Sequence, residues 1–150
     1  MKDAAFLLAL RNDPSVRAQS RDQEIISDEE HRRWLAGTLQ DPYVRLYVAV
    51  VVGKLDGRLD VPPSTLDALP NMLVGVLRLT EKGPVTEISF SVDPSHQRHG
   101  IGTWMLQQAQ KIEPPRRLSA WVRTDNHASL KAFVKTGFRT TDTLLKLEWP

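Results

Sequence analysis

The segment Gln97-Arg98-His99-Gly100-Ile101-Gly102 constrains this chain more than any other, because of what flanks it. Before it runs Thr86-Glu87-Ile88-Ser89-Phe90-Ser91-Val92, a strand-like stretch, and then a turn at Asp93-Pro94-Ser95. After it, Ile101 to Ile112 has helical spacing, with Ile101, Met105, Ala109 and Ile112 on one side. A strand that passes through a two-glycine loop into a helix can turn several backbone N–H groups toward one point. The helix N-terminus adds partial positive charge there. Such a loop suits a pyrophosphate. A Rossmann loop would need a small third residue where this chain has Met105, and a Walker A loop would need a terminal Gly-Lys-Ser/Thr that is missing. A plain strand–turn–helix connection that binds nothing stays open at this point.

Alternation in the preceding strand places Glu87, Ser89 and Ser91 on one face and Ile88, Phe90 and Val92 on the other. A polar row on an otherwise central strand predicts a face that lines a cleft. Elsewhere, Ala4 to Arg11 reads as a short helix stopped by Asn12-Asp13-Pro14, followed by a polar stretch from Ser15 to Glu24. Ser27 and Glu30 form a capping box that opens a second helix, ended by Asp41-Pro42. Val44 to Val52 and Met72 to Thr80 read as strands, with a hairpin-turn signal at Asp56-Gly57. The motif helix stops at Pro114-Pro115; Leu118 to Val122 is a short strand, and Asn126 to Thr136 a helix with Gly137 at C′. Phe138 to Thr141 and Leu144 to Trp149 close the chain as a hairpin. The order predicts an α/β (α+β) fold, a mixed, mostly antiparallel sheet with helices on both faces. The four tryptophans, Trp34, Trp104, Trp121 and Trp149, read as core and edge packing.

At 150 residues the chain is long enough for one well-cored domain spanning 1–150. It contains no cysteine, which excludes disulfides, thiolate metal sites and a cysteine nucleophile. No long apolar stretch appears, and Lys2 and Asp3 follow Met1, so a cytoplasmic protein without a membrane anchor is expected. A net charge of +2 does not argue for nucleic acid as a partner. His96 and His99 are close, but nothing completes a metal set.

The strand, the glycine loop and its helix together resemble motif A of the Gcn5-related N-acetyltransferases, the GNAT superfamily. Asn126, Ser129, Phe133, Gly137 and Phe138 are similar to that family's motif B, in the family's order. The resemblance covers Met72 to Phe138 and implies a GNAT-like fold, acetyl-CoA as co-substrate and an amine acceptor. It implies that Gln97, Arg98, His99, Gly100, Ile101, Gly102 and Thr103 hold the pyrophosphate, largely through backbone N–H groups. The pantetheine arm would lie between the Thr86–Val92 and Leu118–Val122 strands, against Phe90, Ser91 and Val92, with an N–H near Val92 polarising the thioester carbonyl. Asn126 would help hold the cofactor and Phe133 would pack against it. Glu87 would be the general base, directly or through water. A lysine-like acceptor amine costs about 4–5 kcal/mol to deprotonate at pH 7.

Three departures stand out. Phe133 occupies the place of the family's proton-donating Tyr. The chain starts inside the first helix, so the usual first strand is missing and the Val44–Val52 edge is left for a loop or a second copy, as in a homodimer. Val61 to Pro70 lengthens a connection. The opening, Leu10 to Arg17 and Ile26 to His31 with Trp34, is similar to the branch holding pseudaminic-acid-pathway acetyltransferases and also to ribosomal-protein acetyltransferases. These imply as acceptor a small-molecule primary amine, such as a nucleotide-linked amino sugar, or a protein N-terminus. Tyr43, Tyr47, Arg11 and Arg17 are candidates for the acceptor side. The alternatives are a non-catalytic acyl-CoA-binding or interaction domain on the same fold, and a protein that binds another nucleotide through the Gly100–Gly102 loop.

Overall fold

Local signals in the sequence place most of the elements. The computed structural model describes residues 3–52, 71–113, 117–140 and 146–149. Helix α1 spans Ala4–Asn12. Asp13 then accepts the N–H groups of Ser15 and Val16 at 2.9 and 3.2 Å, with Pro14 at the first helical position, and starts a second short helix, α2, Pro14–Ala18. The predicted polar stretch from Ser15 is therefore corrected in its first half, because Asp13-Pro14 both ends one helix and caps the next. Helix α3, Asp28–Gln40, opens on the predicted capping box: Ser27 Oγ accepts the Glu30 N–H at 3.2 Å, and Glu30 Oε2 accepts the Ser27 N–H at 2.8 Å.

Among the described residues the sheet has six strands: β1 Val44–Val52, β2 Asn71–Lys82, β3 Val85–Val92, β4 Arg117–Trp121, β5 Arg139–Thr140 and β6 Lys146–Trp149. Their order is β1-β2-β3-β4-β6-β5. Of these described pairs, β3–β4 is parallel and the other four are antiparallel. Strand β1 lies at one edge of the sheet formed by the described residues. The Asp56-Gly57 turn, the Val61–Pro70 connection and the Pro114-Pro115 stop lie outside the described residues.

Helices α4, Ile101–Ile112, and α5, His127–Lys135, cover one face of the sheet. The main core lies beneath them and is built on Leu77, Leu79, Ile88, Leu106, Leu118, Ala120 and Phe133. A separate, smaller set of buried residues (Leu7, Leu10, Val16, His31 and Leu35) belongs to α1–α3, which pack on β1 and β2. The expected mixed sheet with helices on both faces is the observed fold. Helix α5 ends in a Schellman motif: the Phe138 N–H donates to Phe133 O at 3.1 Å and the Gly137 N–H to Val134 O at 3.0 Å, with Gly137 at φ +89°. The Phe133 and Phe138 rings meet edge to face at 4.9 Å.

Two irregularities position the site. The β1–β2 register shifts between Ala49 and Val50, and the free Val74 carbonyl accepts the Asp93 N–H at 2.8 Å. At the next residue, Gly75, a Cβ would stand 2.7 Å from the Ser91 carbonyl oxygen, so only glycine lets β2 and β3 lie this close. At the opposite end of the core, Thr86 Oγ1 donates to Glu113 Oε2 at 3.0 Å. Glu113 Oε1 meets the Arg45 guanidinium at 2.5 Å, and Arg45 also reaches Glu81 at 3.0 Å. No helix among the described residues is long and apolar enough to cross a membrane.

The tryptophans correct one expectation. Trp34, Trp104 and Trp121 are 40–51% exposed rather than core: Trp104 flanks an open groove against β1, and Trp121 lies beneath Arg21 on the sheet surface.

Candidate active site

Strands β3 and β4 pair only from Val85↔Arg117 to Ile88↔Ala120. Beyond that point Ser89 to Val92 run without a partner strand on the β4 side, while still paired to β2 on the other. Backbone polar groups left free between parted strands must find water or a ligand. The parting makes a slot lined by β3 backbone.

The slot leads to the glycine loop. Asp93 ties the turn together: its carboxylate accepts the Ser95 N–H at 2.9 Å, lies 3.1 Å from His96 Nδ1, and is bonded by the Ser95 hydroxyl. These bonds, the Ser95 hydroxyl first, hold the Asp93 carboxyl below its ordinary range. Gln97 Nε2 donates to Val92 O at 3.2 Å, and His99 Nδ1 lies 3.3 Å from His96 O. Arg98 and Gly100 both have positive φ, +65° and +80°, which curls the loop back onto the start of α4. Gly100 is the N-cap and offers no side chain to the first-turn N–H groups, while its carbonyl accepts only the Trp104 N–H, at 2.9 Å. Ile101, Gly102 and Thr103 therefore present N–H groups that no side chain caps, at the positive end of a twelve-residue helix. This arrangement fits a pyrophosphate.

The two glycines do different work. A Cβ on Gly100 would meet nothing within 4 Å, so its need is conformational. A Cβ on Gly102 would stand 3.0 Å from Phe90 Cε2 and 3.8 Å from Val92 Cγ2, so Gly102 also lets α4 settle on β3.

The other predicted residues divide. Phe90 and Val92 face α4, with the Phe90 ring 5.6 Å from that of Phe133. Phe133 is 2% exposed and held between Phe90 and Phe138. Asn126 caps α5, its Oδ1 accepting the Ser129 N–H at 3.1 Å. Ser91 is half-buried and Ser89 exposed on the opposite face of β3. Glu87 lies on that same face, before the strands part. Its Oε2 accepts Lys82 Nζ at 2.9 Å and Trp121 Nε1 at 3.1 Å. Arg21 covers the Trp121 ring at 4.6 Å, so the segment between α2 and α3 crosses this face.

Arg11 and Arg17, read as acceptor-side candidates, instead brace that segment. Arg11 donates to Asp22 O at 3.1 Å, and Arg17 to Asn12 O at 3.1 Å and Gln23 O at 2.6 Å. Tyr47 lines an apolar groove of about 220 Å³ with Trp104 and Ile112 on the α4 side of β1. Tyr43 is exposed just before β1. Among the described residues no cluster of three His, Cys, Asp or Glu side chains could hold a metal. Missed by the sequence reading were Gly75, signalled only by a lone glycine inside a strand, and the contacts of Glu87 with Lys82 and Trp121 and of Arg21 with Trp121, which had no local signal.

A model of the acetyltransferase (GNAT) family matches residues 9–138 of the chain. No curated protein matches it in sequence. Among solved structures, a domain from Methanocaldococcus jannaschii is similar at a TM-score of 0.78 and 17% identity, covering 99% of this chain and 92% of that one. A spermidine N-acetyltransferase from Vibrio cholerae, in complex with CoA and spermine, is similar at 0.71 and 16% identity, covering 93% and 77%. An aminoglycoside acetyltransferase in complex with coenzyme A is similar at 0.66 and 15% identity, covering 97% and 86%.

Proposed function

The chain belongs to the GNAT family of acetyltransferases, with acetyl-CoA as co-substrate, and we propose that it moves the acetyl group directly to a primary amine of a small molecule. The observation that carries this reading is the slot between β3 and β4 running to the uncapped N-terminus of α4. In the proposal, acetyl-CoA supplies an acetyl group activated as a thioester. The N–H groups of the Arg98–Thr103 loop hold its pyrophosphate, joined by the α4 dipole. Gln97, through its bond to Val92 O, and Asp93, through its turn, keep the loop in place. The backbone from Phe90 to Val92 pairs with the pantetheine arm, and an N–H near Val92 polarises the thioester carbonyl. Asn126 and Phe133 contribute by fixing α5 against this wall.

Direct attack by the amine is the simplest chemistry, since the chain has no cysteine to carry an acyl group. Glu87 takes the amine proton through water. Ser89 is two residues nearer the slot, about 7 Å along the strand, and its hydroxyl relays the proton. Protonation of the departing thiolate needs no tyrosine, because a thiol pKa near 8.5 lets it take a proton from water at pH 7. The bond from Lys82 to Glu87 and the burial of Phe133 favour a second reading, an acyl-CoA-binding domain without turnover.

Calorimetric titration with acetyl-CoA, followed by a free-thiol assay on a panel of small primary amines, separates the two. Binding with turnover on one amine class is the expected result. Binding with none across the panel supports the non-catalytic domain, and absence of binding by folded protein rejects the whole proposal.

A further inference from the structure

Arg78 lies in the middle of β2, on the sheet face opposite α4 and α5, directly across from Ser89 on β3 and Leu46 on β1. It is half-buried, and no hydrogen bond, ion pair or ring contact engages it among the described residues. Four other described cations on this side of the molecule are occupied. Lys82 bonds Glu87, Arg21 covers Trp121, and Arg11 and Arg17 hold backbone carbonyls. A guanidinium partly withdrawn from water and left without a counter-charge is unusual, because burial of charge is costly unless it is paired.

Its place in the register says what the pairing would serve. Ser89 is exposed, so the surface above Arg78 is open. Ser89 is also the first residue of β3 beyond the ladder with β4, where the slot begins. Side chains directly opposite in a sheet have Cβ atoms about 5 Å apart. A molecule approaching the slot over Ser89 thus passes within reach of the Arg78 fork.

We propose that the acceptor is an amine that also carries an oxyanion, a carboxylate or a phosphate, and that Arg78 receives that group while the amine points into the slot. This rests on the acetyl-transfer reading above. The planar guanidinium offers two parallel N–H bonds that match either oxyanion. Glu87, diagonal to Arg78 across the β2–β3 pair, puts the opposite charge toward the amine end. The face is thus complementary to a molecule with an amine at one end and an oxyanion at the other. A polyamine without an anion would meet Arg78 with like charge.

The test uses the whole chain. CoA is titrated first into wild type, Arg78→Gln and Arg78→Lys. Each CoA-saturated protein is then titrated with β-alanine, 2-aminoethyl phosphate, propylamine and putrescine. Equal CoA affinity in all three proteins is expected and shows that the variants fold. Wild type should bind at least one of the two anionic amines tenfold or more tightly than propylamine or putrescine. Arg78→Gln should abolish that preference and Arg78→Lys keep part of it. Whichever of β-alanine and 2-aminoethyl phosphate binds more tightly identifies the oxyanion as carboxylate or phosphate. Equal binding of all four amines to wild type, no binding of any, or a preference that survives Arg78→Gln would overturn the proposal. So would a loss of CoA affinity confined to the Arg78 variants, which would make Arg78 a cofactor residue. Failure of wild type to bind CoA would instead strike the acetyl-transfer reading on which it rests.

Discussion

Gly75→Ala is the substitution whose outcome the geometry decides most sharply. Its Cβ would stand 2.7 Å from the Ser91 carbonyl oxygen and 3.3 Å from Met105 Cε. The methionine end can swing aside. The carbonyl cannot, because Ser91 is backbone of the neighbouring strand, paired to Val76, and relief requires β2 and β3 to part. Overpacking a core costs about 1–3 kcal/mol, and a clash that no rotamer relieves belongs at the upper end. Alanine returns about 0.5–1 kcal/mol by restricting the unfolded chain. The net is a loss of about 2 kcal/mol, or about 4–8 °C in Tm for a chain of this size. Because Ser91 lines the slot, affinity for acetyl-CoA should fall with it. Gly37→Ala is the control of opposite sign. Gly37 is exposed within α3, with nothing within 4 Å of a new Cβ, so the variant should gain about 1 kcal/mol from helix propensity. Urea and thermal unfolding of both variants, followed by circular dichroism, give the comparison. A Gly75→Ala protein melting within about 1 °C of wild type would refute the close approach of β2 and β3 on which this reasoning depends.

Three further outcomes are expected. Ser27→Ala removes the hydroxyl from the capping box of α3 and should cost about 1 kcal/mol in urea unfolding; a loss under about 0.3 kcal/mol would mean the cap is not formed in solution. His31 is 1% exposed, and burial lowers its pKa, so below its ordinary value of 6.5 the unfolded chain binds the proton first. The stability this neutral imidazole permits is therefore complete above pH 6.5 and declines as the pH falls beneath it. His31→Phe should flatten the change in urea midpoint between about pH 7.5 and 5.5, and an unchanged slope would place the acid sensitivity elsewhere. Glu87→Gln should lower thiol release tenfold or more and change the pH–rate profile, with acetyl-CoA binding unaffected; an unaltered profile removes Glu87 from the proton path.

Much of the scaffold was legible because its signals are local. Val44–Val52 is a β-branched run and Ile101–Ile112 an apolar helical stripe, and both have the bounds their patterns predict. The α3 cap was legible for the same reason, since both partners lie within four residues. Helix α2 was not, because Asp13-Pro14 carries a stop and a start in the same two residues. Gly102 read as a phosphate contact alone, since its approach to Phe90 depends on how α4 lies over β3. Tryptophan reads as core from its size, but the half-open settings of Trp104 and Trp121 depend on how α4 and the segment carrying Arg21 lie against the sheet. Arg78 gave no signal at all. What distinguishes it is the lack of a partner among the described residues, and that is a property of the assembled surface rather than of any segment.

The line of rings from Phe90 through Phe133 to Phe138 has a mechanical meaning. Among the described residues the sheet consists of two rafts, β1-β2-β3 and β4-β6-β5, joined edge to edge by the short ladder from Val85 to Ile88. That ladder is a hinge pin at one end of the slot. The three rings, spaced 5.6 and 4.9 Å, form a strut from β3 through α5 to the residue that enters β5, bridging the rafts by a second route. Swinging the rafts apart would pull these rings out of contact, so the aromatic packing opposes widening of the gap, and a ligand that threads it meets an opening the side chains already shape.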